Sequence, residues 1–450
     1  MQTKGITGQL LGWLLLAVLC VGVGIPPLEA AEQRSAKKLA IVPFTLPTAR
    51  EERGWLSEGM PRVLALRLER LPRIQVSVLP RTDPSGPSGL RNPLDSTEAA
   101  AFLERIRPQG YDAVLVGSFL QIDATLRLEV HLWSTQPDRR LGELVEQASE
   151  KDPDGLSIKL AAFVGATLQP SPPEAEWRRL EERLTPSAEA FERFARGLTL
   201  AKVPGGEEDV SRAANLFKEA LSLDGKFSTT LRQLADLYLQ HGQYASAVEA
   251  YQNLLSLVKR DASVYRLLGS AYVAQGDANR ALGAFKRGVQ IDSHDPLLHF
   301  DLGLTYAALK DYDNATKELL RTLEFQPDDP LAFANLGVIY LLQGKFAAAI
   351  SSLRRAQLLH ASDPLVAYNL GLALSFERAP DQARDQFQRA LQLQPDFAPA
   401  AYQLALLQER IDVSQAAERW KKYLELARGK PGEEGWIALA QEHLKRLQAP

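Results

Sequence analysis

The chain has 450 residues, which is more than one compact domain usually holds, so we expect at least two structural units. Its 52 basic and 55 acidic residues give a net charge of -3. This balance does not favour nucleic acid or an anionic membrane surface as a partner, because neither would be attracted electrostatically. Hydrophobic residues make up 45% of the sequence, which is enough for a packed core.

The beginning of the chain, residues 1–31, has the layout of a secretory signal peptide. Positive charge at Lys4 precedes an apolar run over residues 10–23, and small residues follow at Ala30 and Ala31. We therefore predict an exported, periplasmic protein that is cleaved after one of these two alanines. The alternative is an uncleaved inner-membrane anchor facing the periplasm, since this segment is just long enough to span a bilayer. Only in that case would the membrane be a partner.

Cys20 is the only cysteine of the sequence, and it lies inside this segment. The mature chain would then contain no thiol, which excludes disulfides, thiolate nucleophiles and cysteine metal ligands. A lipoprotein signal needs a small residue before its cysteine, and Leu19 stands there. Lipidation is therefore disfavoured.

The sequence over residues 36–168 predicts an α/β domain with a small mixed sheet. Short apolar or alternating segments indicate strands, and longer segments with apolar residues on one stripe indicate helices. The predicted elements are strand 39–44, helix 55–71, strand 74–78, a loop over 80–93, helix 97–107, strand 112–119, a hairpin of 114–122 with 126–133, strand 141–148 and helix 156–168.

Three motifs of this domain occur in a fixed order. They are AIVPF at residues 40–44, GWLSEGMPRVLALRLERL from Gly54, and YDAVLVGSF followed by LRLEVHLWS between Tyr111 and Ser134. This order resembles the TolB-like amino-terminal domain of bacterial envelope and regulatory proteins. The resemblance implies protein contacts in the envelope and no catalysis. It covers this domain alone, because no propeller pattern follows.

Residues 169–189 join this domain to the second half of the chain as a Pro-rich linker and a lead-in helix. The sequence QPSPP at residues 169–173 favours extended backbone, since proline fixes φ and disfavours helix before it. We therefore predict a stiff, extended spacer that acts as a hinge.

A leucine followed by glycine or alanine recurs at a constant interval in the second half of the chain. The pairs lie at residues 234–235, 268–269, 302–303, 336–337, 370–371 and 404–405. A period of about 34 residues, which these pairs keep, is typical of the tetratricopeptide repeat (TPR), in which each unit is a pair of helices. The resemblance to the TPR family implies an all-α, right-handed superhelix after the α/β domain.

A second small residue lies twelve positions after the small residue of each pair. These residues are Ala247, Ala281, Ala315, Ala349, Ala383 and Ala417. Glycine and alanine allow the two helices of a repeat to approach where they cross. An earlier, irregular repeat with an insertion at residues 204–206 brings the count to seven repeats over residues 190–431. Residues 432–450 are predicted to form a capping helix that covers the last apolar face.

The first helix of each TPR lines the concave face, so its inward positions are the candidate partner-binding site. The candidate residues are Phe300, Leu304, Asn335, Val338, Leu342, Tyr368, Asn369, Leu372 and Phe376. We expect them to face solvent in the free protein as an apolar strip, and such strips often mark a partner site. Leu331, Leu365 and Asn369 stand where carboxylate-clamping repeats hold lysine or arginine. An apolar peptide is therefore favoured over a carboxylate terminus.

The sequence lacks the common signatures of catalysis. It contains no HExxH, GxSxG or GxxxxGK[ST] motif. His294 and His299 are the two histidines closest in sequence, but a spacing of five points them to different helix faces. Plain surface histidines are the better interpretation than metal ligands. We therefore predict no enzymatic activity, no cofactor and no metal site.

The leading hypothesis is a non-enzymatic adaptor or scaffold of the bacterial cell envelope. It would hold a peptide or partner protein in the TPR groove and would bind a second envelope protein through the TolB-like domain. Two alternatives stay open. One is a structural subunit of an envelope secretion or outer-membrane assembly, and the other is an enzyme with an unrecognised site in the N-terminal domain.

Overall fold

The computed structural model describes residues 36–46, 54–80, 102–122, 125–169, 173–201, 206–411, 413–430 and 432–448. The predicted signal peptide, nearly all of the predicted loop over 80–93, the start of the helix predicted at 97–107 and most of the repeat insertion lie outside these residues. The described residues form two compact units, of which the first ends at Arg260 and the second begins at Asp261. No helix in the described ranges is long and apolar enough to cross a membrane.

The first unit begins with a five-stranded mixed sheet. Its strands are β1 (Lys37–Ile41), β2 (Ile74–Val78), β3 (Ala113–Ile122), β4 (Thr125–Thr135) and β5 (Asp138–Ser149). Their order is β2-β1-β3-β4-β5, with β1 parallel to both neighbours and with antiparallel pairing among the last three strands. The α/β class and the mixed sheet predicted from the sequence are confirmed.

Helices α1 (Gly54–Leu68) and α2 (Pro153–Leu168) pack against this sheet and against each other. Helix α2 begins three residues before the predicted start, because Asp152 caps it. Its side chain accepts a hydrogen bond of 3.0 Å from the backbone N–H of Gly155, and proline occupies the first helical position. The helical residues 102–106 pack against apolar residues of β1 and β3 in a separate buried cluster.

Helix α3 (Glu174–Glu181) is followed, within the described residues, by seven consecutive helix pairs. The pairs are α4 (Ala188–Ala201) with α5 (Glu207–Leu223), α6 (Ser228–Gln240) with α7 (Tyr244–Leu257), α8 (Ala262–Ala274) with α9 (Ala278–Ile291), α10 (Pro296–Ala308) with α11 (Tyr312–Phe325), α12 (Pro330–Leu342) with α13 (Phe346–Leu359), α14 (Pro364–Phe376) with α15 (Pro380–Leu393), and α16 (Ala398–Ile411) with α17 (Val413–Ala427). The first two pairs belong to the first unit and the other five to the second.

The crossing of α12 and α13 shows why the small residues recur. A β-carbon at Gly337 would lie 2.5 Å from Cγ of Leu353, so no other residue fits without separating the helices. Ala349, one turn before Leu353, is fully buried. A feature that sequence reasoning missed also recurs here: Asp329 caps α12 just before Pro330, with its carboxylate 2.8 Å from the backbone nitrogen of Leu331.

The last helix pair departs from the predicted frame. The predicted crossing residue Ala417 is only half-buried, whereas Ala416 and Trp420 are fully buried and Lys421 is exposed. The cause is a shorter connection, because α17 begins two residues after α16 ends, whereas α15 begins four residues after α14 ends. The small residue therefore moves one position earlier, and the prediction for this repeat is wrong by one residue.

Helix α18 (Glu434–Gln448) packs on the last pair. The ring of Trp436 lies edge-on to Tyr402 at 5.0 Å, and Ala440 is fully buried in the same cluster. His443 stacks on Trp420 and places Nδ1 2.8 Å from the carboxylate of Glu409. The helix thus covers the apolar face of the final pair.

The α/β domain and the first helix pair are in direct contact within the first unit. A β-carbon at Gly59 in α1 would lie 2.9 Å from the carbonyl oxygen of Ala195 in α4, and Trp55 packs edge-on against Phe191. The two helices therefore pack as closely as the helices within a repeat. Residues 170–172 of the predicted spacer lie outside the described residues, so its extended backbone stays a prediction, but the α/β domain and the first helix pair do contact each other directly.

Candidate partner-binding surface

The nine predicted site residues all lie on the first helices of three successive pairs, α10, α12 and α14. Six of them are buried, namely Phe300, Asn335, Val338, Tyr368, Asn369 and Leu372. Leu304 and Leu342 are half-buried, and Phe376 is 36% exposed. The structure therefore contradicts the expectation that these side chains form an open apolar strip in the free protein.

Packing between neighbouring pairs explains this difference. Val338 and Leu372 are 6% and 2% exposed and belong to one core cluster with Leu353 and Leu370. Residues at the same frame position on adjacent repeats shield each other, because each first helix packs between the helices before and after it. Apolar character at these positions was therefore a signal of the core.

A smaller set of apolar side chains on these helices stays accessible. We call it the first-helix patch, and its members are Leu304, Leu331, Leu342, Leu365 and Phe376. Phe376 stacks on Phe346 with a centroid distance of 4.7 Å and an interplanar angle of 10°. This stacking fixes the ring that the patch exposes most. Phe346 was missed from the sequence, because its position at the start of a second helix was assigned no role.

Beside the patch, polar side chains recur at one position of the 34-residue repeat. Asp301, Asn335 and Asn369 occupy it in α10, α12 and α14. The amide nitrogen of Asn335 donates to the carbonyl of Leu331 at 2.8 Å, whereas the buried oxygen of Asn369 has no hydrogen-bond partner among the described residues. Over the described residues, this surface therefore combines apolar side chains with isolated polar groups.

Asp301 is the charged member of this series. Its carboxylate lies 3.4 Å from the guanidinium of Arg266, and its side chain is 25% exposed. Burial raises the pKa of Asp301 to about 6 from the ordinary 3.8, although the charge of Arg266 opposes the shift. The loss of solvent around the carboxylate therefore raises its pKa by more than the ion pair with Arg266 lowers it.

We expect Asp301→Asn to stabilise the second unit at neutral pH. In the folded wild type the carboxyl of Asp301 keeps its proton up to about pH 6, whereas in the unfolded state it loses the proton near pH 4. The stability of the wild type therefore falls as pH rises between these values. The free energy of unfolding of the variant should exceed that of the wild type by up to about 3 kcal/mol above pH 6 and should equal it below pH 4. Urea unfolding across this range measures the difference. The exposed Asp313→Asn is the control, and an equal pH profile for both variants would contradict the assignment.

His294 and His299 do not share the surface position predicted for them. His294 is exposed, but His299 is buried, with Nδ1 2.7 Å from the carboxylate of Glu318 and Nε2 3.1 Å from the carbonyl oxygen of Ser293. His299 therefore joins α10 to α11 and is not a plain surface residue. In the described ranges, no group of three or more His, Cys, Asp or Glu side chains could hold a metal ion.

Family models for the tetratricopeptide repeat match residues 232–296, 272–337 and 332–365. The chain therefore contains tetratricopeptide repeats, as the constant interval of its Leu-Gly and Leu-Ala pairs predicted. Proteins built from this repeat are in general interaction scaffolds that bind peptide or protein partners and have no catalysis of their own. A comparison with curated proteins found no match.

Several solved structures are similar to part of the chain. MamA from Desulfovibrio magneticus RS-1 is 24% identical over 38% of this chain and 97% of that one, with a TM-score of 0.37. PilF of Pseudomonas aeruginosa is 21% identical over 48% and 99%, with a TM-score of 0.41. YrrB, described as a TPR protein with an unusual peptide-binding site, is 21% identical over 42% and 96%, with a TM-score of 0.37.

Proposed function

We propose that the chain is a non-enzymatic adaptor of the bacterial cell envelope, and that its first-helix patch binds an apolar segment of a partner protein. The observation that carries this proposal is the exposure of Phe376, an aromatic ring held by stacking on Phe346. Ordered aromatic side chains on a surface are frequent anchors of protein interfaces, since they bury a large area at a small cost in conformational entropy. Of the nine residues predicted from the sequence, Leu304, Leu342 and Phe376 belong to the patch in this proposal, and the other six belong to its supporting core.

The α/β domain supplies a second contact in this proposal. Its motifs resemble the TolB-like domain, so we propose that it binds a second envelope protein. The domain packs directly on the first helix pair within the first unit, and the first-helix patch lies in the second unit, so the two proposed binding surfaces are on separate parts of the chain. This arrangement suits an adaptor that brings two components together.

A photoreactive phenylalanine analogue at position 376 tests the patch. Expressed in the native host at native level, the full chain should give one discrete crosslinked product on illumination. The same analogue at position 358 is the matched control, because Leu358 is 73% exposed on a second helix and lies outside the patch. We expect no discrete product from that position.

The variant Leu331→Asp should reduce the yield of the product at position 376 by at least about tenfold, because docking would bury an unpaired carboxylate. Thermal melting of the variant by circular dichroism checks that the repeats stay folded. A product that forms from position 358 but not from position 376 would place the interface on the second helices. An unchanged yield in Leu331→Asp would contradict the patch as defined.

Export of the chain is a separate part of the proposal. We predict that the mature protein begins at Ala31 or Glu32, because the apolar run of the leader ends before the small residues at these positions. Amino-terminal sequencing of the protein from a periplasmic extract measures this. Recovery of intact Met1 from the membrane fraction would instead establish the anchored form, and recovery from the cytoplasm would contradict export.

A further inference from the structure

The helix-covered face of the sheet contains a cavity of about 380 Å³ near the end where β1 and β3 begin. The pairing register explains why the space is there. Leu39 of β1 pairs with Ala113 of β3, Ala113 pairs with Ser134 of β4, and Ser134 pairs with Arg139 of β5. Residues in one such row point to the same face of a sheet. The two middle strands therefore contribute small side chains, which leave room above them.

Long cationic side chains lie on both sides of the cavity floor, which is formed by the small side chains of Ala113 and Ser134. Lys37 precedes Leu39 by two positions, so it points to the same face as Arg139. Three strand spacings and an offset of two residues along β1 separate their backbones by about 16 Å, and each side chain can extend by roughly 6 Å toward the middle. The two positive groups can therefore approach a small ligand from opposite sides.

These two cations have no stabilising polar contact with other side chains in the described residues. Neither Lys37 nor Arg139 makes an ion pair or a side-chain hydrogen bond within the described part of the chain. The third lining cation, Arg107, is already bound, with 2.6 Å to the carboxylate of Asp138. Asp112 is the one acidic residue among those that line the cavity, and its carboxylate accepts the backbone N–H of Lys38 at 2.7 Å. A backbone N–H does not neutralise the charge of Asp112, so the cavity has two unpaired cations against one unpaired carboxylate.

The remaining walls combine polar and apolar residues, with Thr135 and Gln136 among the polar ones. Leu168, at the end of α2, and Leu141, on β5, line the cavity beside Tyr111 and Pro137. A volume of this size is at the lower end of what small-molecule pockets enclose, and it exceeds what one inorganic anion fills. The hydroxyl of Ser134, on the floor, has no hydrogen bond to another described side chain and can donate to a ligand oxygen.

We infer that this cavity binds a small organic anion, with its oxyanion head between Lys37 and Arg139 and a short apolar chain against Leu141 and Leu168. The assignment concerns the α/β domain and does not depend on the first-helix patch. Charge-assisted hydrogen bonds from lysine and arginine would hold the head, and the two leucines would exclude water from the chain. A carboxylate or a phosphate monoester could supply this head.

Ligand-observed NMR titration of the full chain with hexanoate, hexyl phosphate and inorganic phosphate tests the inference. We expect the two hexyl compounds to bind saturably with a Kd of about 1 mM or below, and inorganic phosphate at least about tenfold more weakly. Whichever hexyl compound binds more tightly identifies the head. Absence of saturable binding for both would overturn the site.

Three charge variants locate the binding. Lys37→Gln and Arg139→Gln should each raise the Kd of the tighter-binding hexyl ligand by about tenfold, since each removes one charge-assisted contact. Lys38→Gln is the matched control, because Lys38 is exposed on the same strand but does not line the cavity. Equal weakening by all three variants would show a general charge effect and would overturn the assignment. Binding of inorganic phosphate as tight as that of the hexyl compounds would overturn the role of the leucines.

Discussion

Replacement of Arg67 by methionine should destabilise the first unit by about 3 to 5 kcal/mol, because it would leave the buried carboxylate of Asp154 without its counter-ion. Arg67 and Asp154 are 0% and 2% exposed and form an ion pair. The arginine also donates to the carbonyl oxygens of Leu180 and Glu182, at 2.9 Å each. Methionine keeps the apolar stem but satisfies none of these acceptors.

The same ion pair fixes the chain between α3 and α4. The second carboxylate oxygen of Asp154 accepts the backbone N–H of Leu184 at 2.7 Å and that of Thr185 at 3.3 Å. Loss of Arg67 should therefore loosen this connection as well as lower the free energy of unfolding. Hydrogen exchange of residues 180–187 should accelerate in the variant before global unfolding.

Two further variants distinguish a buried ion pair from general sensitivity of this region. Arg67→Met combined with Asp154→Asn should recover part of the loss, since asparagine is neutral and can still accept a backbone N–H. Arg178→Met should change stability by less than about 0.5 kcal/mol, because Arg178 pairs with Glu174 on an exposed face. Urea unfolding of the full chain measures all three. A single variant Arg67→Met as stable as Arg178→Met would contradict the buried pair.

The sequence predicted the repeats well because their physical cause is repeated too. Gly337 must be glycine, because Leu353 occupies the space of its β-carbon, and the same steric demand returns one repeat later at Gly371 with Phe387. Because the requirement for a small residue at the helix crossing recurs every 34 residues, a single sequence is enough to predict the repeats. The one-residue shift at Ala416 was missed because it depends on a connection length, which leaves no mark on the residue pattern before it.

The candidate site was harder to predict, because exposure depends on neighbours that are distant in the sequence. The apolar side chains of Val338 and Leu372 are consistent with either a core or a groove, and only the packing of adjacent pairs decides between them. The environment of Asp301 similarly depends on Arg266, which lies 35 positions earlier. The ion pair of Arg67 spans 87 positions and connects residues with no shared motif. Such contacts follow from the fold and not from local sequence.

The double variant Val338→Glu with Leu372→Glu should unfold much of the second unit. From the sequence alone we expected both side chains to face solvent, so that the change would leave the fold intact and release a partner. Their burial reverses this expectation. Each substitution removes about 1.5 to 3 kcal/mol of apolar burial and places a carboxylate among apolar side chains with no counter-ion.

The combined loss should exceed about 5 kcal/mol, which is comparable to the whole stability of many domains. Because each repeat is stabilised mainly by its neighbours, helices α12 to α15 should lose structure together. Circular dichroism at 25 °C should show a loss of helical signal, and limited proteolysis should cleave within residues 330–393. The matched control is Leu358→Glu, which changes an apolar side chain that is 73% exposed on the same pair and should melt like the wild type. A double variant that keeps the wild-type melting curve would show that Val338 and Leu372 face solvent after all, and the open groove would then replace the first-helix patch as the binding surface.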